Sequence, residues 1–362
     1  MAAALQPAAI PTSNPDSGSD SALQLSAILQ GVAIAPLDDR AFLRVAGPDA
    51  TRWLNGMVTN NMQALEPGEG NYNFLLNAQG RILGDCTIYR EPDGDQATFL
   101  LLTDQSQIDT VRQHFEKYII MDDVDLQPAP SNVQTVVLLG PQGPELLRQY
   151  YNSFRGGVGL DLRPLRLSFP TEAAHTIATM DERLVPQIEI WTNDSGDLAR
   201  SLSKAGAIPV SPEALEALRV LSGTPRYGVD IRNTDAAHDL PQETAQTRAL
   251  HFSKGCYLGQ EIVERIRSRG SVHRIFHGFE LTGALPAPGA PLTVESSPRS
   301  VGELTSVAAI PLPASAAAPA RTMQLALGYI RREALADAQA RTLTLEYPGG
   351  VATPIAMPYP IP

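Results

Sequence analysis

Residues 254 to 261 read Lys254-Gly255-Cys256-Tyr257-Leu258-Gly259-Gln260-Glu261, which places a thiol, an ammonium, two glycines and a carboxylate at one turn. Glycine beside the thiol lets the backbone turn tightly and leaves its amides exposed. Downstream, Ile262, Val263 and Ile266, with Glu261 and Arg265 four residues apart, predict a short amphipathic helix. Cys256 would then precede a helix N-terminus with Lys254 two residues away. That setting eases thiol ionisation and suits a nucleophile or a soft-metal ligand. The same spacing also fits a small buried hydrophobe at a turn. From Lys254 to Arg274 the balance is basic, with Arg265, Arg267 and Arg269 facing only Glu261 and Glu264, which suits a small anionic ligand or a solvated helix face.

Composition bounds the surroundings. A chain of 362 residues has room for two or three compact units, and 43% hydrophobic with 19% charged residues is the balance of a globular protein. A net charge of -11 argues against general nucleic-acid binding. Cys86 and Cys256 are the only cysteines, which excludes a disulfide scaffold and fits a reducing compartment. With no spaced Cys/His cluster, no resident metal site is expected. The longest uncharged stretch, 304–320, is broken by Pro311, Pro313 and Pro319, so no membrane-spanning helix is expected. Residues 1–20 hold no Lys or Arg, and we read 1–28 as a flexible tail on a cytoplasmic protein.

The elements that must position the thiol begin with a repeat. Phe42 to Ala46, then Gly47-Pro48, then a helical run with Leu54, matches Val136 to Leu139, then Gly140-Pro141, then a helical run with Leu147. Each is strand, turn and helix, which suggests two related α+β lobes within 29–270. In the first lobe, strands are expected over Asn71–Leu76 and Arg81–Arg90, joined at Asn77–Gly80, and over Ala97–Thr103, with a helix over Gln107–Ile119. In the second, Leu184–Thr192 reads as a strand, and Pro212–Gly223 as a helix stopped by its glycine. From 271 to 362, short strands over Phe276–Leu281, Ser300–Ala309, Gln324–Ile330, Thr342–Tyr347 and Val351–Ala356 predict a small closing β-barrel, with Pro311–Ala320 as a surface loop.

Together the octapeptide, Pro225, Gly228, Asp230 and Pro241-Gln242-Glu243 before it, and Gly47-Pro48-Asp49-Ala50, Leu54-Asn55-Gly56 and Val58-Thr59-Asn60 near the start resemble the YgfZ family. These are folate-binding proteins of iron-sulfur cluster assembly and repair, similar to the aminomethyltransferase T-protein of the glycine cleavage system. The resemblance runs from about Leu37 to the C-terminus. Its specific element is the Lys-Gly-Cys-Tyr-x-Gly-Gln-Glu motif, because the aminomethyltransferases lack the cysteine.

The resemblance implies an α+β fold of three lobes in a cloverleaf around a central channel for tetrahydrofolate, with a C-terminal β-barrel. It implies Cys256, Lys254 and Asp85 as the chemical groups, and Glu189, Arg219, Tyr227, Gly255 and Tyr257 as folate-binding residues. Glu189 falls where the aminomethyltransferases present their pteridine-binding carboxylate, which can accept paired N–H donors, and lies opposite Ile188 and Ile190 by strand alternation. Arg219 stands at the folate-meeting arginine, with Leu221 where the relatives carry an acid; a salt bridge with Glu216 or Glu213 is the other reading. Asp85 matches the second of two acids, with Gly84 at the first, and is expected on the side away from Ile82 and Cys86. Tyr227 and Tyr257 could stack on flat rings or cover a core edge. Two functions follow: a folate-dependent accessory factor for iron-sulfur proteins working through Cys256, or a one-carbon transferase working through Asp85. Expected partners are folate and iron-sulfur clients or assembly proteins, with neither nucleic acid nor membrane, and the chain is expected to be a monomer.

Overall fold

A computed structural model describes residues 17–92, 96–128, 132–152, 160–170, 175–181, 184–232, 248–269, 274–295, 297–314, 319–341 and 343–361. Three bodies meet in it. The first is an antiparallel sheet of β2 (Arg40–Ala46), β3 (Gly70–Leu76), β4 (Ile82–Arg90), β5 (Phe99–Asp104) and β6 (Asp125–Pro128), in the order β3-β4-β5-β2-β6. Helices α2 (Ala50–Met57) and α3 (Ile108–Tyr118) cover one face through Trp53, Leu54, Val111 and Phe115, which pack with Leu43, Leu75, Cys86 and Ile88.

The second body is a sheet of β1 (Ala33–Leu37), β7 (Gln134–Leu139), β8 (Leu167–Ser168), β9 (Thr176–Thr179), β10 (Gln187–Thr192) and β11 (Ile208–Pro209), in the order β11-β1-β7-β10-β9-β8. Its first strand precedes the first body in the chain, so the first lobe is inserted between β1 and its antiparallel neighbour β7 rather than simply preceding the second. Helices α4 (Gly143–Asn152) and α5 (Ser195–Lys204) cover one face through Leu146, Leu147, Leu198 and Leu202. The repeat is visible here. Gly47 and Gly140 both take positive φ, 120° and 107°, at the strand-to-helix turns, and Leu54 and Leu147 are both sealed from solvent. A side chain at Gly140 would collide with the carbonyl oxygens of Gly31 and Ile28, so only glycine fits there.

The third body is a closed barrel of β12 (Arg274–Gly283), β13 (Ala290–Val294), β14 (Ser297–Leu312), β15 (Arg321–Arg331), β16 (Leu345–Tyr347) and β17 (Gly350–Ile355), joined in the order β12-β15-β14-β13-β16-β17. Two helices lie between it and the second sheet: α1 (Ser17–Gln30) and α6 (Pro212–Leu221). Helix α6 starts on Ser211, whose side chain accepts from Ala214 N, has Pro212 in its first turn, and is followed by Gly223 at φ 65°. Its Leu218, Val220 and Leu221 join Leu25 and Ile28 of α1, Val137 and Leu139 of β7, and Ile310 and Leu325 of the barrel in one core.

Several expectations are corrected. The tail expected over 1–28 gives way to α1 from Ser17, because Leu25 and Ile28 supply a buried apolar stripe. Pro311 and Leu312 extend β14 rather than opening a loop, paired with Thr322 and Arg321. Strand β13, helix α5 and a helix over Arg332–Gln339 were not anticipated. Asp85 does not point away from Ile82. The pairing skips a residue between Leu75–Gly84 and Leu76–Ile82, and that bulge turns Ile82 to the face that carries Asp85 and Phe74. Cys86 lies on the opposite face, in the core under α3.

Helix α6 and the segment after it are clasped to the barrel at Asp230, which is sealed from solvent. Its Oδ2 accepts from Arg219 Nη1 at 2.6 Å and from Arg226 N at 3.0 Å, its Oδ1 accepts from Ser306 Oγ at 2.8 Å and from Thr305 Oγ1, and its carbonyl accepts from Tyr329 OH at 2.9 Å. Removing one partner of a buried pair leaves an uncompensated charge and costs about 3–5 kcal/mol. Asp230→Ala should therefore lower the urea-unfolding free energy by about that amount; a loss below ~1 kcal/mol would show that the clasp is not structural.

Candidate functional site

Where the first two sheets and α6 converge, a cavity of about 420 Å³ opens, within the size range of small-molecule sites. Its walls include Arg40 from β2, Tyr72 from β3, Asp85 from β4, Tyr227 and Arg219 from the α6 region, and Arg248. Phe42, Tyr89, Leu102, Leu167, Ala178 and Trp191 pack the two sheets together beside it.

Asp85 is the carboxylate of this cavity. Its Oδ2 accepts from Tyr72 OH at 2.6 Å and its Oδ1 from Gln107 Nε2 at 2.9 Å, while its own backbone N–H donates to Gln107 Oε1 at 2.9 Å. Burial raises its carboxyl above the ordinary range, against the downward pull of the Tyr72 and Gln107 hydrogen bonds. The neighbouring Gly84 offers no second acid, and a Cβ there would stand 3.0 Å from Gln107 Oε1, so Gln107 would have to give by a few tenths of an ångström. Tyr227 also lines the cavity, and its hydroxyl donates to Leu83 O, the carbonyl at the bulge, at 2.7 Å.

Two residues expected to meet the ligand are engaged elsewhere. Glu189 does lie opposite Ile188 and Ile190, but it is sealed from solvent, with Oε1 accepting from Arg40 Nε at 2.9 Å and Nη2 at 2.7 Å. Arg40 thus covers Glu189 and stands in the cavity wall in its place. Arg219 touches the cavity, yet all its N–H groups are committed: Nε and Nη2 to Glu216, Nη1 to Thr224 O and Asp230, and Nη2 also to Ser306. The salt-bridge reading of Arg219 accounts for Glu216, and the burial of Asp230 accounts for the rest.

The octapeptide forms a separate, tightly anchored loop outside the cavity lining. Lys254 is buried beneath it, and its Nζ donates to Asn55 O and Val58 O at the C-terminal end of α2, both at 2.5 Å. It sits 5.0 Å from the Tyr257 ring centre. Burial lowers the Lys254 ammonium to about 7. Lys254 is therefore an anchor of the loop rather than a free partner of the thiol, a correction that follows from the unpaired carbonyls every helix C-terminus presents. Tyr257 is buried in the core with burial pushing its hydroxyl up to about 12, so it covers a core edge and is not a ring-stacking surface. Leu258 N bonds Gly56 O at 3.0 Å, and Gly259, at φ 84°, comes so close to Asn77 O and Leu76 that a Cβ would clash. Gly255, at φ 95°, has open space around it. Between these anchors Cys256 is exposed, whereas Cys86 is buried. The predicted helix follows over Gln260–Arg269, with Arg265 Nη2 and Glu261 Oε1 2.8 Å apart. Within the basic island Lys254 is internal, and Arg274 lies over Tyr329 beside Glu303. Pro241-Gln242-Glu243 lies outside the described residues, among which no metal-binding group of His, Cys, Asp and Glu occurs and no helix is long and apolar enough to cross a membrane.

Sequence reasoning missed Arg40, Tyr72, Gln107 and Arg248. Tyr72 pairs with Thr87, two positions along the ladder from the Phe74–Asp85 pair and on the same face, so cross-strand register was the one available signal; the others sit at element ends with no local pattern.

Comparisons with known proteins agree on the family. A model of the GCVT N-terminal domain matches residues 21–245. The chain is similar to the mitochondrial iron-sulfur cluster assembly factor IBA57 of Mus musculus, 29% identical over 286 residues, or 74% of this chain and 72% of that protein. It is also similar to the tRNA-modifying protein YgfZ of Vibrio vulnificus strain YJ016, 27% identical over 282 residues, or 76% of this chain and 77% of that one. Among solved structures, the glycine cleavage system aminomethyltransferase T from Bartonella henselae shares the fold, with a TM-score of 0.79 over 94% of this chain and 89% of that one at 16% identity.

Two outcomes check the loop. In the native protein a thiol reagent should titrate Cys256 alone, with Cys86 reacting only on unfolding; two thiols reacting natively would contradict the burial of Cys86. Lys254 is held at about 7 when folded against 10.5 when free, so between those values the unfolded chain binds the extra proton and stability rises with pH. Relative to Lys254→Met, the wild type should gain up to about 1.4 kcal/mol per pH unit across that window; parallel stability profiles would refute the buried anchor.

Proposed function

Because the chain belongs to the GCVT N-terminal domain family, we propose that it is a tetrahydrofolate-binding accessory factor for iron-sulfur cluster assembly or repair, with Cys256 as its functional thiol. The observation that carries this reading is the exposure of Cys256 on a loop fixed at both ends, in a chain whose other thiol is buried. A thiol meant only to pack would not be held out to solvent by a buried lysine and two positive-φ glycines. The names of the relatives support the direction: one is an iron-sulfur cluster assembly factor, the other a tRNA-modifying protein. Clusters and their carriers are then cargo and partners met at Cys256, and a cytoplasmic setting keeps the thiol reduced.

The cavity suits the folate half of the proposal. Its size accommodates a pterin ring, Asp85 has lone pairs for N–H donors, and Tyr72 and Tyr227 supply aromatic wall. Tetrahydrofolate, when bound, carries the one-carbon unit. The protein's residues orient the ring, and Tyr72 and Gln107 fix the carboxylate that meets it. A one-carbon transferase is the second reading, and the raised Asp85 carboxyl favours it as a proton acceptor in the cavity. The glycine at position 84, which leaves Asp85 without a companion acid beside it, weighs towards the accessory role.

The two halves are tested together. Tetrahydrofolate at a hundred times its dissociation constant should stabilise both the wild type and Cys256→Ala by about 2.7 kcal/mol, raising the melting temperature. In cells lacking the protein, only the wild type should restore iron-sulfur enzyme activity. A melting curve unmoved by saturating tetrahydrofolate would remove the folate half, and full restoration by Cys256→Ala would remove the thiol.

A further inference from the structure

We infer that Arg248 and Asp85, rather than Arg219 and Glu189, form the donor and acceptor pair that reads the amide edge of a reduced pterin ring in this cavity. The inference rests on the folate reading above and assigns the side chains that hold the ligand's head.

The cavity's arginines differ in what they have left to give. Arg219 has spent every N–H on Glu216, Thr224, Asp230 and Ser306. Arg40 turns Nε and Nη2 onto Glu189, and Arg226, half exposed, holds Glu216. Among the described residues Arg248 donates only from Nε, to Asp181; its Nη1 is enclosed by protein, which leaves Nη2 as the uncommitted donor of a residue that lines the cavity. A guanidinium held by one of its several donors can still give an N–H to an acceptor brought into the cavity.

Tyr72 joins this arginine to the carboxylate. The Arg248 guanidinium carbon lies 5.4 Å from the centre of the Tyr72 ring, and the Tyr72 hydroxyl donates to Asp85 Oδ2 at 2.6 Å. One ring therefore separates a cation with spare N–H donors from a carboxylate with spare lone pairs. A lactam edge, in which a carbonyl oxygen neighbours an N–H, complements the pair: the oxygen accepts from Arg248 and the N–H donates to Asp85.

Charge selects the same class. Arg40, Arg219 and Arg248 are each already matched to a carboxylate, Glu189, Asp230 and Asp181 respectively. Asp39, Asp85 and Asp104 stand in the wall as well. The cavity offers no surplus positive charge to a phosphate or a free carboxylate, so a neutral ring with a polar edge is the better occupant.

Titration calorimetry with three probes decides the matter: tetrahydrofolate, 6-methyltetrahydropterin, which is the head alone, and p-aminobenzoylglutamate, which is the tail alone. Arg248→Lys should weaken tetrahydrofolate and 6-methyltetrahydropterin by a common factor of about tenfold, equivalent to ~1.4 kcal/mol, and leave p-aminobenzoylglutamate unchanged. Pterin affinity within twofold of wild type, or a loss confined to the tail probe, would overturn the assignment while leaving folate binding intact. Asp85→Asn, which turns part of the acceptor into a donor, should reproduce the loss on the head probe and decides the matter if Arg248→Lys does not fold; unchanged head affinity there would equally overturn it. A wild type that binds none of the three probes would overturn the folate reading and this assignment together.

Discussion

A carboxylate with no water around it must be fully paired, and Asp230 meets that demand with groups from three places: Arg219 on α6, the Arg226 amide, and Thr305 and Ser306 in the barrel. The consequence reaches the cavity. Because the Arg226 amide is fixed on Asp230 and Gly228 N bonds Ile231 O at 2.8 Å, Tyr227 is held between two tethered residues. Its hydroxyl then meets Leu83 O across the lobes, and the cavity gains a wall. The pair contributes arrangement more than net stability, since the desolvation of both ions offsets much of their attraction.

A second constraint links the cavity to the thiol. The hairpin of β3 and β4 carries Tyr72 and Asp85 towards the cavity, and its turn supports the octapeptide: Gly259 lies against Leu76 and Asn77, and Ile262 against Gly80. Lys254 fixes the other side of the loop to α2, which packs on the same sheet. One hairpin thus serves the buried carboxylate and the platform of the exposed Cys256. The two features are mounted together without sharing a pocket, which suits a thiol that meets a large partner while a small ligand occupies the interior.

The sequence made the local features readable and hid the distant ones. Glycine-proline turns, the apolar faces of α3 and α6, and the barrel strands other than β13 announce themselves within a dozen residues, because periodicity and turn chemistry are local. The octapeptide marked the loop and its helix for the same reason. What decided the roles of individual residues was not local. Arg40 reaches Glu189 across 149 positions, and Lys254 meets Asn55 across 199. No spacing rule shows that a carboxylate opposite Ile188 will be covered by an arginine from another sheet. The bulge at Leu83 reversed the side on which Ile82 falls, since a single unpaired residue in a strand shifts everything beyond it to the other face. Helix α1 escaped notice because the polar, proline-bearing start of the chain masks the short apolar stripe that docks on α6.

The most direct test of the account is a crystal structure of the protein grown with tetrahydrofolate. The account requires the reduced ring to lie in the cavity between the two sheets, within hydrogen-bond distance of Asp85 and beside Tyr72, with the Cys256 thiol still open to solvent. Density for the ligand on another face, or a cavity filled by Tyr72 and Tyr227 with the ligand absent at saturating concentration, would contradict it.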